Sequence, residues 1–133
     1  CYGPCTHVDE PHSLETKTSS VEGRHKTAHV LHEVQSVLAQ GLEHPAYGWL
    51  RPTTVVAYQR AYYAMAGVRV TVDRDIAYRQ ERYEASHVAH DPHVAVEIKA
   101  AAGHSLDELV DTFPFPRTRF SKFARSIEAL GLA

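Results

Sequence analysis

Two cysteines, one methionine and one tryptophan in 133 residues exclude several kinds of protein at once. Cys1 and Cys5 stand close together at one end of the chain and cannot staple a fold, so a disulfide scaffold is excluded. Cys-x3-Cys followed by His7 and His12 supplies zinc-type ligands, but no second cluster has recognisable spacing, and residues 1–12 read as a loop. No run approaches the roughly 18 apolar residues of a membrane-spanning helix. The opening residues Cys1-Tyr2-Gly3-Pro4-Cys5 lack the basic and apolar regions of a signal peptide, and the chain reads as cytoplasmic. An excess of either charge is also missing. Lys and Arg total 14 against 16 Asp and Glu, a formal net charge of -2. Non-specific nucleic-acid binding goes with a basic domain, so nucleic acid is not an expected partner. Neither a Gly-rich phosphate loop nor a Gly-x-Ser-x-Gly elbow occurs.

What remains is 44% hydrophobic and 23% charged, the composition of one ordinary globular domain. Residues 13–18 alternate and suit a strand, and residues 19–23 turn the chain. Over residues 27–40, Val30, Leu31, Val34, Val37 and Leu38 recur at helical spacing, with Gly41 as the stop. Residues 42–52 read as a loop. Residues 53–63 and 68–78 are rich in β-branched and aromatic residues and read as two strands joined by a short connection, with 79–83 extending the sheet. Residues 86–93 form a histidine-bearing loop, and 94–100 another strand. Ser105-Leu106-Asp107-Glu108 is a capping box opening a short helix, and Ser121 caps a last helix carrying Phe123, Ala124, Ile127 and Leu130. The order of elements is that of an α+β domain.

Chemistry enters through the strand faces, because residues two apart share a face. Glu15 and Lys17 share one; so do Arg69, Thr71 and Asp73; so do Glu97 and Lys99. Opposite them run Val68, Val70 and Val72, and Val94, Val96 and Ile98, rows expected to be buried against helices. A mixed-charge row is most often a solvated sheet surface. The repeated Glu-x-Lys favours another use: cations neutralise phosphate oxygens while carboxylates hold a hard ion such as magnesium or manganese. The histidines are blander. His87, His90 and His93 recur at intervals of three in a Pro-bearing loop that reads as solvated. His25, His29 and His32 would crowd one side of a helix but lack a zincin-type Glu, and His29 and His32 with Glu33 read as helix surface. Tyr58, Tyr62 and Tyr63 read as sheet packing rather than a base-stacking platform.

Arg51-Pro52-Thr53-Thr54-Val55-Val56-Ala57-Tyr58-Gln59-Arg60-Ala61-Tyr62, followed by Val68-Arg69-Val70-Thr71-Val72-Asp73-Arg74-Asp75, resembles the VTC domain. Leu14-Glu15-Thr16-Lys17-Thr18 ahead of Arg24-His25-Lys26, Ala95-Val96-Glu97-Ile98-Lys99 and Phe120-Ser121-Lys122-Phe123 match it in the same order, so that the resemblance spans residues 13–126. VTC domains belong to the triphosphate tunnel metalloenzymes. The resemblance therefore implies an antiparallel β-tunnel with a charged interior and helices packed outside, formed by residues 13–133. It also implies a polyphosphate polymerase that transfers the γ-phosphate of ATP to a growing chain with manganese or magnesium.

Carried over by position, Arg60, Arg69 and Lys122 are the catalytic cations, and with Lys17, Lys26 and Lys99 they bind the phosphates. Glu97 is the expected metal carboxylate, joined by Glu15 and Asp73. Phosphoryl transfer asks the protein mainly for positioning and charge neutralisation, so no general base is required. A non-catalytic polyphosphate- or nucleotide-binding module and an inorganic triphosphate hydrolase are the alternatives. The family carries further strands ahead of its Glu-x-Lys-Thr segment, ending in a Tyr-Gly turn, and this chain opens at Cys1-Tyr2-Gly3. The tunnel is accordingly expected to be incomplete in this chain, with a preceding segment or second chain completing it.

Overall fold

The β-branched and aromatic residues that crowd positions 54–72 form the longest strands among the described residues. A computed structural model describes residues 12–21, 23–65, 67–81, 87–101, 111 and 115–132. The chain divides into two compact units, Cys1–Pro52 and Thr53–Ala133.

In the first unit, β1 (His12–Ser20) pairs antiparallel with β2 (Gly23–Leu31), in the register that sets Lys17 across from Lys26. The expected helix over residues 27–40 is corrected by this pairing. Residues 27–31 continue β2, and only α1 (Val34–Gln40) is helical. Val30, Leu31 and Val34 fit a helical period, yet Thr27, Val30 and Leu31 are also good strand formers. A complete ladder of backbone hydrogen bonds with β1 decides between the two. His29 therefore lies on a strand, with His25, and not on a helix surface.

Gly41 ends α1 as expected, at φ 97°, where a Cβ would stand 2.4 Å from the Leu50 carbonyl oxygen. The Trp49 indole donates to the Gln40 carbonyl at 2.9 Å and so covers an otherwise orphaned helix end. This closes a small hairpin, β3 (Leu42–His44) with β4 (Gly48–Leu50), inside the segment expected to be a loop.

The second unit is built on β6 (Val68–Gln80). It pairs on one side with β5 (Thr54–Met65) and on the other with β7 (Ala89–His90) and β8 (Ala95–Ala100), all antiparallel. Among the described residues no sheet closes on itself. The architecture is α+β, the elements with defined bounds among the described residues being three antiparallel sheets and two helices. β6 carries the expected 79–83 extension as far as Gln80, while residues 82–83 of that extension, the helix expected from the Ser105 capping box and the Cys1–Cys5 loop lie outside the described residues.

The strict alternation expected over residues 68–78 is broken by a bulge. Tyr58 on β5 faces both Asp75 and Ile76 on β6, and Asp75 takes φ 53°, a left-handed conformation. On the other edge residues 91–94 interrupt pairing opposite 74–76. A bulge adds one residue and reverses which face each later side chain joins. Hence Asp73 and Tyr78, of opposite parity in the sequence, lie on the same face of the sheet. The second helix, α2 (Lys122–Ala129), lies over that face, with Lys122 reaching Asp73 and Ser126 reaching Thr54.

The valine rows do not pack under α2. Val68, Val70, Val72 and Ile98 are half-buried on the face opposite α2, and Val96 is exposed. The helix turns polar residues inward instead. Ser126 is fully buried, bonded to the Thr54 hydroxyl at 3.0 Å and donating to the Phe123 carbonyl at 2.7 Å, while the Phe123 side chain is 61% exposed. The Ser121 cap forms as expected, its hydroxyl accepting from the Ala124 amide at 3.3 Å.

Candidate functional site

Directly opposed residues in an antiparallel pair share a face. The register of β5, β6 and β8 therefore lays out three rows on the side covered by α2. Arg60, Asp73 and Ala95 form one row; Tyr62, Thr71 and Glu97 the next; Ala64, Arg69 and Lys99 the third. Five of the residues expected at the site, Arg60, Arg69, Asp73, Glu97 and Lys99, thus stand on one face of one sheet, and Lys122 reaches them from the first turn of α2.

Two ion networks organise this face. Asp73 is almost fully buried and takes Arg60 Nε on Oδ1 at 2.5 Å, Arg60 Nη2 on Oδ2 at 2.7 Å, and Lys122 Nζ on Oδ2 at 2.5 Å. The Arg60 bonds, with Lys122, hold the Asp73 carboxyl below its usual range although burial acts the other way, and the Asp73 bond raises the Arg60 guanidinium further. Tyr58 is a shelf for both cations, with Lys122 4.7 Å and Arg60 5.0 Å from its ring centroid. The second network is looser: Lys99 meets Glu97 at 3.1 Å, both side chains more than half exposed.

Two features of the face carry an energetic cost. Arg69 and Lys99 are directly opposed cations, an arrangement that disfavours the sheet. Thr71, 5% exposed, has its hydroxyl buried with no hydrogen-bond partner, a defect of about 1–3 kcal/mol. Crowded cations beside a buried, unpartnered hydroxyl suit a site that completes its bonding with an anionic ligand.

The first unit repeats part of the pattern. Lys17 and Lys26 are directly opposed, and Glu15 lies between them, 2.6 Å from Lys26 and 3.8 Å from Lys17. In both Glu-x-Lys segments the Glu meets its own Lys beside an opposed cation.

Under α2 lies a network that periodicity missed. Asp91 has no exposed side-chain surface and accepts from Arg125 through both guanidinium Nε and Nη2, from the Tyr78 hydroxyl at 2.5 Å and from the His93 amide at 3.0 Å. Burial disfavours its charge, but these donors overcome that and hold its carboxyl well below the ordinary range. Burial and the Asp91 carboxylate push the Tyr78 phenol up to about 12. Its only sequence signal was an acid before a proline between two strands. His93 belongs to this network through its ring, 2.9 Å from Asp91 Oδ1.

Among the described residues no three His, Cys, Asp or Glu side chains converge on one point. Glu97 fits a hard divalent ion as a single protein carboxylate, since such ions in phosphate sites take most of their shell from ligand oxygens and water. Asp73 has both oxygens engaged by cations.

The family model for the VTC domain matches residues 7–131 of the chain. No match was found among the curated proteins or among the solved structures.

Proposed function

The chain belongs to the VTC domain family, and from that premise we propose that it binds polyphosphate on the charged face of the β5–β8 sheet and extends it with the γ-phosphate of ATP. The observation that carries this reading is the alignment of Arg60, Arg69, Lys99 and Lys122 on one face, with two of these cations directly opposed. Phosphoryl transfer is governed by positioning and by neutralising charge on the equatorial oxygens. Arg60 and Lys122, locked by Asp73 and stacked on Tyr58, are placed before the ligand arrives. Arg69 and Lys99 are exposed and adapt to it. Lys17 and Lys26 are further phosphate-binding cations in this reading, with Glu15 between them. Manganese or magnesium held by Glu97 would neutralise and align phosphoryl oxygens. The open β5–β8 sheet is, in this reading, one wall of a tunnel of the triphosphate tunnel type.

In the transfer a terminal oxygen of the acceptor chain attacks the γ-phosphorus of ATP. The bond to the bridging β,γ-oxygen breaks, and ADP leaves. The test is incubation of the chain with ATP and manganese, with polymer read by gel. The wild-type chain should make polyphosphate, and Glu97→Ala and Arg69→Ala should lose it. No polymer overturns the polymerase reading. Release of phosphate and pyrophosphate from triphosphate would identify a hydrolase instead. A non-catalytic binder is favoured by the full engagement of Asp73 with Arg60 and Lys122, and it would bind polyphosphate equally well after divalent ions are chelated.

A further inference from the structure

Thr71 and Glu97 face each other across β6 and β8 but do not bond. The Thr71 hydroxyl is buried without a partner, while the Glu97 carboxylate is turned along its own strand to Lys99 at 3.1 Å. The nearest acceptor on its own strand is committed elsewhere. Asp73, two residues along the same face, accepts from Arg60 and Lys122 on both oxygens. Tyr62, the neighbour on β5, is largely exposed.

We propose that Thr71 is a positioning residue for Glu97. When a polyphosphate draws Lys99 onto its oxygens, the released Glu97 carboxylate accepts a hydrogen bond from the Thr71 hydroxyl and is held on the charged face. The inference rests on the polyphosphate reading of this same face. Three physical facts support the exchange. The Glu97–Lys99 pair is exposed and therefore weakly held. Lys99 stands directly across from Arg69, so the two cations together attract a phosphoryl group more strongly than either attracts one carboxylate. Opposed residues have Cβ atoms about 5 Å apart, within reach of a glutamate rotamer change. One carboxylate moves from an ammonium to a hydroxyl, and the buried hydroxyl gains the acceptor it lacks.

The experiment is calorimetric titration of tripolyphosphate into the full chain in chelator, so that no metal takes part. Thr71→Val should bind about tenfold more weakly than wild type, the loss expected for one hydrogen bond to a charged group. Thr71→Ser should stay within about twofold, because it keeps the hydroxyl. In a Glu97→Gln background, which removes the charged acceptor, Thr71→Val should cost little more. Without ligand, Thr71→Val should melt no lower than wild type, since it removes a polar atom that has no partner. Thr71→Ala serves in the same cycle if the valine variant does not fold. If wild type binds and Thr71→Val binds equally, the positioning role is overturned while the polyphosphate reading stands. An equal loss in the Glu97→Gln background also overturns it, because the hydroxyl then acts without Glu97. If wild type does not bind tripolyphosphate in chelator, the inference falls, while the polymerase reading is decided separately by polymer synthesis with manganese.

Discussion

Lys99 on β8 stands directly across from Arg69 on β6, cation against cation, on the face that α2 also reaches with Lys122. Opposed like charges weaken a sheet by roughly 0.2–1 kcal/mol. Arg69→Gln should therefore leave ligand-free stability unchanged or slightly raised, while reducing the gain in Tm that tripolyphosphate confers. Melting curves with and without the ligand, at low and high salt, measure both effects. Added salt should narrow the difference by screening the exposed charges. A large loss of ligand-free stability in Arg69→Gln would mean that this arginine serves the fold instead.

Asp91 joins β6, the chain beyond β7 and α2 through Tyr78, His93 and Arg125. Removing one partner of a buried ion pair typically costs about 3–5 kcal/mol. Asp91→Asn should lower the urea midpoint accordingly, a large fraction of a small domain's stability. A midpoint near that of wild type would show that the network does not hold α2 to the sheet.

Both buried carboxylates set an acid limit. The folded-state values of Asp73 and Asp91 are depressed, so their stabilisation is complete above the unfolded carboxylate value of about 3.9 and is lost as pH falls below it through the folded values. Urea midpoints should be flat above about pH 5 and fall steeply below about pH 4, and Asp91→Asn should flatten that fall. Tyr78 acts at the other end. Its phenol is raised to about 12, so its contribution is complete below the unfolded value of about 10 and is lost as pH rises through about 12. Ultraviolet titration should show an ionisation at about pH 12 that is lost in Tyr78→Phe, while the protein remains folded.

Ser121 accepts from the Ala124 amide at the start of α2, one residue before Lys122. Ser121→Ala should cost about 1 kcal/mol in denaturation, and Ser121→Gly only a few tenths. Because fraying of this turn also frees Lys122 from Asp73, the alanine variant should bind tripolyphosphate more weakly. Unaltered stability in Ser121→Ala would show that the cap is not holding the turn.

The face of the site was legible before the fold was known. A period of two over Val68–Asp73 and Ala95–Lys99 separates charged from apolar side chains by covalent geometry alone, whatever the strands pack against. Which strands stand together is not local. Arg69 opposes Lys99 because β6 and β8 pair in one register, and nothing in either segment states that register. The misread helix at residues 27–31 has the same cause: its apolar spacing fits both periods, and pairing with β1 decides.

Asp75 marks the other limit. An αL aspartate at the bulge moves Tyr78 to the face of Asp73, and an alternation count run straight through it assigns every later residue to the wrong side. Amphipathicity misled at α2 for a related reason. Phe123 is apolar, but the face that the helix meets offers the Thr54 hydroxyl and Asp73, so Ser126 and Lys122 turn inward. The amino-acid order alone determined the alternating charged strands, the Gly41 stop, the Ser121 cap and the motifs that the VTC family shares. Tertiary structure decided which cations oppose each other, which carboxylates they engage and which hydroxyl is left without a partner. Those outcomes depend on register, bulge and helix placement, which arise only when segments distant in the chain exclude water and satisfy one another's polar groups.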